Sequence, residues 1–164
     1  MISHLYFLLT LTSALGCGLM AGVFFAFSTF VMRALANLAA PQGIAAMQSI
    51  NVVVLNPLFL GVFLGTVALC IGAVVTSLFT GFKPVVYWPI AGTVLYFLGT
   101  VVVTMVCNVP RNDALVLIDP AGPEAANFWR EYVASWTWWN HVRAAAAFAA
   151  AASLTIGLWF SRVA

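Results

Sequence analysis

Hydrophobic residues occupy four long stretches of the chain, over about residues 5–31, 52–79, 85–106 and 139–160. About 20 consecutive apolar residues suffice for a helix to cross the hydrocarbon core of a bilayer. The pattern therefore predicts an all-α integral membrane protein, an antiparallel bundle of four transmembrane helices that forms one domain over residues 1–164.

Between the third and fourth stretches, residues 107–138 are expected to form the one substantial loop. Pro110, Pro120 and Pro123 favour a break in helical structure near its start. From about residue 123, polar and aromatic residues recur at three- and four-residue steps, a pattern typical of one helix face. The recurring residues are Phe128, Trp129, Tyr132, Trp136, Asn140 and Arg143. We expect an amphipathic helix that runs into the last span.

Glycine pairs indicate where the predicted helices pack. Gly18 and Gly22 in the first stretch form a GxxxG motif, and Gly61 and Gly65 in the second form another. This spacing lets helix backbones approach closely in lipid, so each helix is predicted to pack against a partner there. The short turn over residues 81–84 predicts an antiparallel hairpin of the second and third spans.

Composition supports the membrane prediction, since 64% of the residues are hydrophobic and 6% are charged. Soluble domains carry about a quarter charged residues. The net charge of +2 is too small to indicate nucleic-acid binding. The first apolar stretch is longer than a signal-peptide core of about 7–15 residues, so we expect it to be a retained helix. Cys17, Cys70 and Cys107 lack CxxC spacing and are interpreted as packing residues.

Polar residues are concentrated on one side of the predicted bundle, where the first and third spans end and the second and fourth begin. This polar side holds Arg33, Gln48, Asn51, Asn56, Asn108, Arg111, Asn112, Asp113, Asn140, His141 and Arg143. The opposite side holds Ser3, His4, Lys83, Ser161 and Arg162. Polar side chains at membrane depth usually face the bundle interior or a cavity and usually serve function. Function is therefore expected on the polar side.

Ordinary alternatives stay open for these residues. Arginines at span ends, such as Arg33 and Arg111, often snorkel or anchor topology. The tryptophans before the last span are typical of an aromatic belt, or they wall a pocket for a flat ligand. His141 is either an interfacial histidine or a general base, because imidazole exchanges protons near neutral pH. Asn56 before Pro57 is interpreted as capping a kink inside the second span.

No metal site is predicted, because the two histidines lie at opposite ends of the bundle and such sites need three or four ligands together. The cofactor is left unknown, and the leading interpretation requires none. Two alternatives stay open: single-histidine haem ligation by His141, or copper bound by Cys107 and His141.

Four stretches of the chain carry a resemblance to a known family. They are Ala21–Ser28, Met47–Asn51 with Asn56–Pro57, Asn108–Asp113 and Trp136–Arg143. With them the chain resembles the anthrone oxygenase-like family of small four-span membrane proteins, although it has Arg111 where the family usually has a neutral residue. The resemblance implies the same fold and, from fungal members, oxidation of anthrones to anthraquinones with no metal or flavin clearly required.

The resulting prediction is a membrane-embedded oxygenase or oxidoreductase that acts on a small apolar aromatic, anthrone- or phenol-like, with dioxygen. His141 would be the general base, and positive or amide groups would stabilise the oxyanion. The catalytic set is His141, Arg143, Asn140 and Asn108. The substrate-binding set is Trp136, Trp139, Asn51, Asn112, Asp113 and Asn56.

The alternative prediction is a non-catalytic membrane binding or partner subunit that uses the polar cluster for helix packing or ligand binding. The expected partners are the lipid bilayer and a small apolar aromatic ligand, with a homo-oligomer left open and no nucleic acid. Arg33, Arg111, Arg130 and Arg143 outnumber Lys83 and Arg162 across the bundle. The positive-inside rule then places the polar side in the cytoplasm of a bacterial inner (plasma) membrane.

Overall fold

The structure is a computed structural model that describes residues 2–79 and 83–163. Every regular element in these ranges is a helix. Four helical spans are long and apolar enough to cross a membrane: Ser3–Ala36, Pro57–Ser77, Val86–Val116 and Ala125–Ser161. The predicted all-α membrane bundle is thereby confirmed. Residues 81 and 82 of the predicted turn lie outside the described residues.

The described chain forms seven α-helices and three π-helical segments. The α-helices are α1 Ile2–Ala26, α2 Met32–Ala36, α3 Ala40–Val53, α4 Pro57–Ser77, α5 Lys83–Tyr96, α6 Val109–Val116 and α7 Ala125–Val163. The π-helical segments are π1 Phe27–Val31, π2 Phe97–Val102 and π3 Thr104–Asn108. Segment π1 joins α1 to α2, and π2 and π3 carry the third span from α5 into α6. Such segments are rare and frequently mark functional sites.

The four long helices pack in a ring, in which α1 and α5 each contact both α4 and α7. The central core includes Cys17 and Met20 from α1, Cys70 from α4, and Tyr96 at the end of α5. Cys17 and Cys70 are free thiols, and both are fully buried. Helix α7 also contacts all three π-helical segments, so it lines both the apolar core and the polar side of the bundle.

Close helix contacts occur at glycines outside the two GxxxG motifs. A Cβ atom placed on Gly99 would collide with the Cβ of Ala146 on α7, and one placed on Gly16 would collide with the Thr66 side chain. The four motif glycines have no neighbour in the described chain within 4 Å of such an atom: Gly18, Gly22, Gly61 and Gly65. The predicted GxxxG contacts are therefore not made within the described chain.

This difference predicts opposite effects of two glycine-to-alanine substitutions. Gly99→Ala should lower the free energy of unfolding by about 1–3 kcal/mol, because overpacking forces the two backbones apart. Gly61→Ala should be neutral or should stabilise by up to about 1 kcal/mol, because alanine favours the helix and meets open space. Denaturant unfolding in detergent micelles measures both. Equal effects at the two positions would contradict the packing described for Gly99.

The second span begins later than predicted, at Pro57 rather than near residue 52. The Asn56 side chain accepts a hydrogen bond from the backbone N–H of Phe59 at 2.9 Å, which makes Asn56 the N-cap of α4. The prediction of a kink at Asn56 and Pro57 inside the span is therefore wrong. Proline suits the first helical position because the N–H it lacks has no intrahelical partner there.

The predicted loop over residues 107–138 is largely helical. The third span continues through Pro110 to Val116, and α7 begins at Ala125. Proline is tolerated there because π-type bonding and neighbouring groups can satisfy freed carbonyls, and π3 directly precedes this turn. With 39 residues, α7 is roughly 58 Å long, against a hydrocarbon core of about 30 Å. The expected amphipathic helix and the last span are thus one continuous helix.

Candidate functional site

All three π-helical segments contact α7, which carries a fully buried asparagine, Asn140. Its Nδ2 donates to the backbone oxygen of Phe24 and to the Oγ of Ser28, each at 2.6 Å. Its Oδ1 accepts from Nη2 of Arg143 at 2.7 Å. Asn140 therefore ties α7 to the junction of α1 and π1, and it orients the neighbouring guanidinium.

Arg143 is the most deeply buried charge of the site, with 6% of its surface exposed. Its Nη1 donates to the Oγ1 of Thr104 in π3 at 3.3 Å. Its guanidinium carbon lies 4.5 Å from the ring centroid of Phe24 and 5.0 Å from that of Trp136, within cation–π range. Its hydrogen-bond acceptors, Asn140 and Thr104, are neutral. Its Nε is buried and has no partner in the described chain.

The positive charge of Arg143 has no buried carboxylate to balance it. All four acidic residues of the chain are exposed: Asp113, Asp119, Glu124 and Glu131. A buried charge is costly unless it is paired and hydrogen-bonded. This cost is greatest in a bilayer, where such residues usually mark functional sites. The site therefore has the electrostatics of an anion-binding centre.

A second group of contacts supports the aromatic wall beside Arg143. Oδ1 of Asn112 accepts from the hydroxyl of Tyr132 and from Nε1 of Trp136, both at 2.9 Å. Nδ2 of Asn108 donates to the backbone oxygen of Trp136 at 3.3 Å. Asn51 lies beside the Tyr132 hydroxyl. Trp136, whose ring faces the guanidinium, is thus held by hydrogen bonds at its backbone oxygen and at its indole nitrogen.

Unpaired polar atoms lie next to these contacts. In the described chain, Oδ1 of Asn108 and Nδ2 of Asn51 are buried without a hydrogen-bond partner, as is Nε of Arg143. Each such group costs about 1–3 kcal/mol, and natural proteins keep few of them. An oxygen-bearing ligand would satisfy the two donors. The arrangement is chemically suited to stabilising an oxyanion.

Six of the ten predicted site residues belong to this cluster. They are Arg143, Asn140, Asn108, Trp136, Asn112 and Asn51. The other four lie elsewhere: His141 and Asp113 are exposed, Asn56 caps α4, and Trp139 is only partly buried.

The helical repeat explains why His141 is not in the cluster. Successive residues turn by about 100° around a helix axis, so His141 points roughly 200° away from Arg143. The imidazole consequently lies on the outer surface of α7, although Asn140 directly before it is fully buried.

Four residues that contact the cluster were not among the predicted site residues. They are Phe24, Ser28, Thr104 and Tyr132. Tyr132 shares the helix face of Trp136 and Arg143, so periodicity was a usable signal for it. Ser28 ends one of the four motif stretches, and Phe24 lies inside the same stretch. No sequence signal distinguishes Thr104 from the other hydroxyl residues of the spans.

Metal ligands do not gather in the described part of the chain: no group of three or more His, Cys, Asp or Glu side chains could hold a metal ion. Comparison with known protein families matches residues 59–153, more than half of the chain, to the family described as Anthrone oxygenase. This range includes Asn108, Asn112, Asn140 and Arg143 but not Phe24, Ser28 or Asn51. No curated protein and no solved structure matches the chain significantly.

Proposed function

Because the chain belongs to the anthrone oxygenase family, we propose that it is a membrane-embedded oxygenase that oxidises a small apolar aromatic, anthrone- or phenol-like, with dioxygen. The observation that carries this proposal is the buried guanidinium of Arg143, which has neutral acceptors, an unpaired Nε and aromatic rings on two sides.

The proposed chemistry needs no external reductant. The ring methylene loses a proton to water, which gives an enolate. The enolate carbon forms a bond to dioxygen, and the peroxide anion takes a proton back from water. The resulting hydroperoxide loses water, so that the methylene becomes a carbonyl. One oxygen atom enters the product and the other leaves in water, and the substrate supplies all the electrons. Arg143 stabilises the enolate oxygen, since a fixed positive group in a water-poor site strongly favours developing negative charge.

The other cluster residues support this step. Trp136 and Phe24 flank the guanidinium and help to fix its position. Asn140 orients Arg143 through its Oδ1. The unpaired Nδ2 of Asn51 can donate to a substrate oxygen, and the unpaired Oδ1 of Asn108 can accept from a substrate hydroxyl. His141 is not assigned as the base, because its exposed imidazole would meet only a substrate on the outer surface of α7.

His141→Ala should therefore retain turnover within about threefold of wild type, since a general base contributes about 10²–10⁴-fold. Initial rates of quinone formation measure the effect. A loss of a hundredfold or more in a folded variant would restore His141 as the base and place the reacting carbon at the outer surface of α7.

The test of the proposed function uses purified protein in lipid nanodiscs with anthrone as substrate. Quinone absorbance and oxygen uptake are followed together, against empty nanodiscs and heat-denatured protein, because anthrone also oxidises spontaneously. We expect protein-dependent formation of quinone with one dioxygen consumed per quinone. A rate equal to that of the empty nanodiscs would refute the proposal.

A second candidate is a non-catalytic partner or binding subunit, and the double hydrogen bond of Asn140 to the first span favours it. Interhelical hydrogen bonds of this kind also serve as packing contacts between membrane helices. This function predicts that substitution of Asn140 lowers the free energy of unfolding and that the wild-type protein does not oxidise anthrone.

For cellular location, we propose the bacterial inner membrane with the polar side in the cytoplasm. Without the buried Arg143, three arginines remain on that side against Lys83 and Arg162 on the other, which still agrees with the positive-inside rule. Protease accessibility of a tag placed in the loop over residues 117–124 tests this orientation.

A further inference from the structure

The side-chain carbonyl of Asn112 is fully occupied within the protein. It accepts hydrogen bonds from the Tyr132 hydroxyl and from the Trp136 indole, and an amide oxygen has two lone pairs. Substrate binding by that oxygen, one form of the binding predicted from the sequence, would therefore require it to give up a bond. The two donors lie one helical turn apart on α7, so a single acceptor on α6 holds both aromatic rings.

We propose that Asn112 is a positioning residue that fixes the indole of Trp136 against Arg143, rather than a ligand of the substrate. The proposal rests on the proposed oxyanion site at Arg143. The Trp136 backbone is held by α7 and by Asn108, and the bond at Nε1 is the hydrogen bond that orients the ring, which also packs against Phe27. That plane sets the cation–π contact of 5.0 Å with the guanidinium.

The hydrogen bond of Asn112 is not needed to keep α6 in place. Nε2 of Gln48 on α3 donates to the backbone oxygen of Leu115 at 2.9 Å. Nε of Arg111 donates to the Oγ of Ser135 on α7 at 3.2 Å. Leu115 itself is fully buried in the apolar cluster at this end. Removal of the Asn112 acceptor should consequently release the indole while α6 stays docked.

The test labels the protein with fluorotryptophan and follows the fluorine NMR resonance of Trp136, which is assigned from a Trp136→Phe variant. Asn112→Leu should shift and broaden this resonance. It should also raise the KM for anthrone about tenfold, the size expected for a lost buried hydrogen bond, with a smaller change in kcat. Asn112→Asp keeps an acceptor oxygen and should restore the resonance. Tyr132→Phe is the matched control, because it removes the other donor and leaves the indole bond intact.

Two results would overturn the proposal. One is a Trp136 resonance that does not move in Asn112→Leu, and the other is a moved resonance with an unchanged KM. Asn112→Ala provides a second acceptor-free variant should the leucine variant not fold. Failure of the proposed function is distinguishable, since wild-type protein would then fail to oxidise anthrone while the fluorine resonance still responded to Asn112→Leu.

Discussion

Arg143→Met is expected to abolish catalysis without unfolding the protein. The substitution removes the group that we propose binds the enolate oxygen, and loss of one such donor costs about 10²–10³-fold in kcat. We therefore expect anthrone oxidation to fall by at least about a hundredfold. Stability should change little, because removal of a buried charge without an ionic partner offsets the cost of leaving the buried Oδ1 of Asn140 without its donor. Rates of quinone formation and thermal unfolding in the same nanodiscs measure both quantities.

Arg33→Met is the matched control, since Arg33 is exposed on the same side of the bundle. It should leave both turnover and stability near wild type. Arg143→Lys keeps the charge but loses the planar guanidinium, which donates to Asn140 and to Thr104 at the same time. Intermediate activity is therefore expected. Full activity of Arg143→Met would remove the basis of the proposed site.

The helix face that builds the site was predictable from the sequence. Residues 129, 132, 136, 140 and 143 follow one another at steps of three and four, and four of these side chains are 5% exposed or less, with Arg143 at 6%. The same periodicity, applied strictly, excludes position 141. Histidine is a common base, so its chemistry drew attention to position 141, whereas the helical repeat places His141 on the outer surface of α7.

The π-helical segments were not predictable, because they arise from tertiary contacts and not from local propensity. The largest difference from the prediction is at Pro110. Proline was expected to end the helix there, but the third span continues to Val116. Because the third span continues, Asn108 and Asn112 lie on helix beside α7, where both contact Trp136. The hydrogen bond from Asn140 to the Phe24 backbone oxygen in α1 was not predictable either, because every residue has a backbone oxygen and the sequence does not show which one accepts.

For Asn56, the capping role was predicted correctly, but the cap was expected at a kink inside the span and not at the start of a helix. An asparagine before a proline fits both a kink and a helix start, and hydropathy favoured the former because residues 52–55 are apolar. The exposed side chains of Val52, Val53 and Leu55 show that this apolar segment lies outside the packed bundle. Hydropathy measures preference for lipid, and it does not distinguish the middle of a span from an apolar link between two helices.

Asn140→Leu should impair both the fold and the reaction, in contrast to Arg143→Met. Leucine has a similar volume, but it cannot donate to Phe24 and Ser28 or accept from Arg143. Interhelical hydrogen bonds in membranes contribute about 0.6 kcal/mol on average and about 1.7 at most. We therefore expect a loss of about 1–2 kcal/mol in the free energy of unfolding, smaller than a buried polar deletion often costs in a soluble protein.

Turnover of Asn140→Leu should fall by about ten- to a hundredfold, because the guanidinium keeps its charge but loses its shortest hydrogen bond, at 2.7 Å. Asn127→Leu is the matched control on the same helix, where the exposed amide oxygen accepts a hydrogen bond from the exposed Arg130 that should contribute about 0–1 kcal/mol. Denaturant unfolding and anthrone turnover, measured on both variants, separate the two roles of Asn140. If Asn140→Leu lost stability while turnover stayed at the wild-type level, Asn140 would be a packing contact alone, with no role in orienting Arg143 for the reaction.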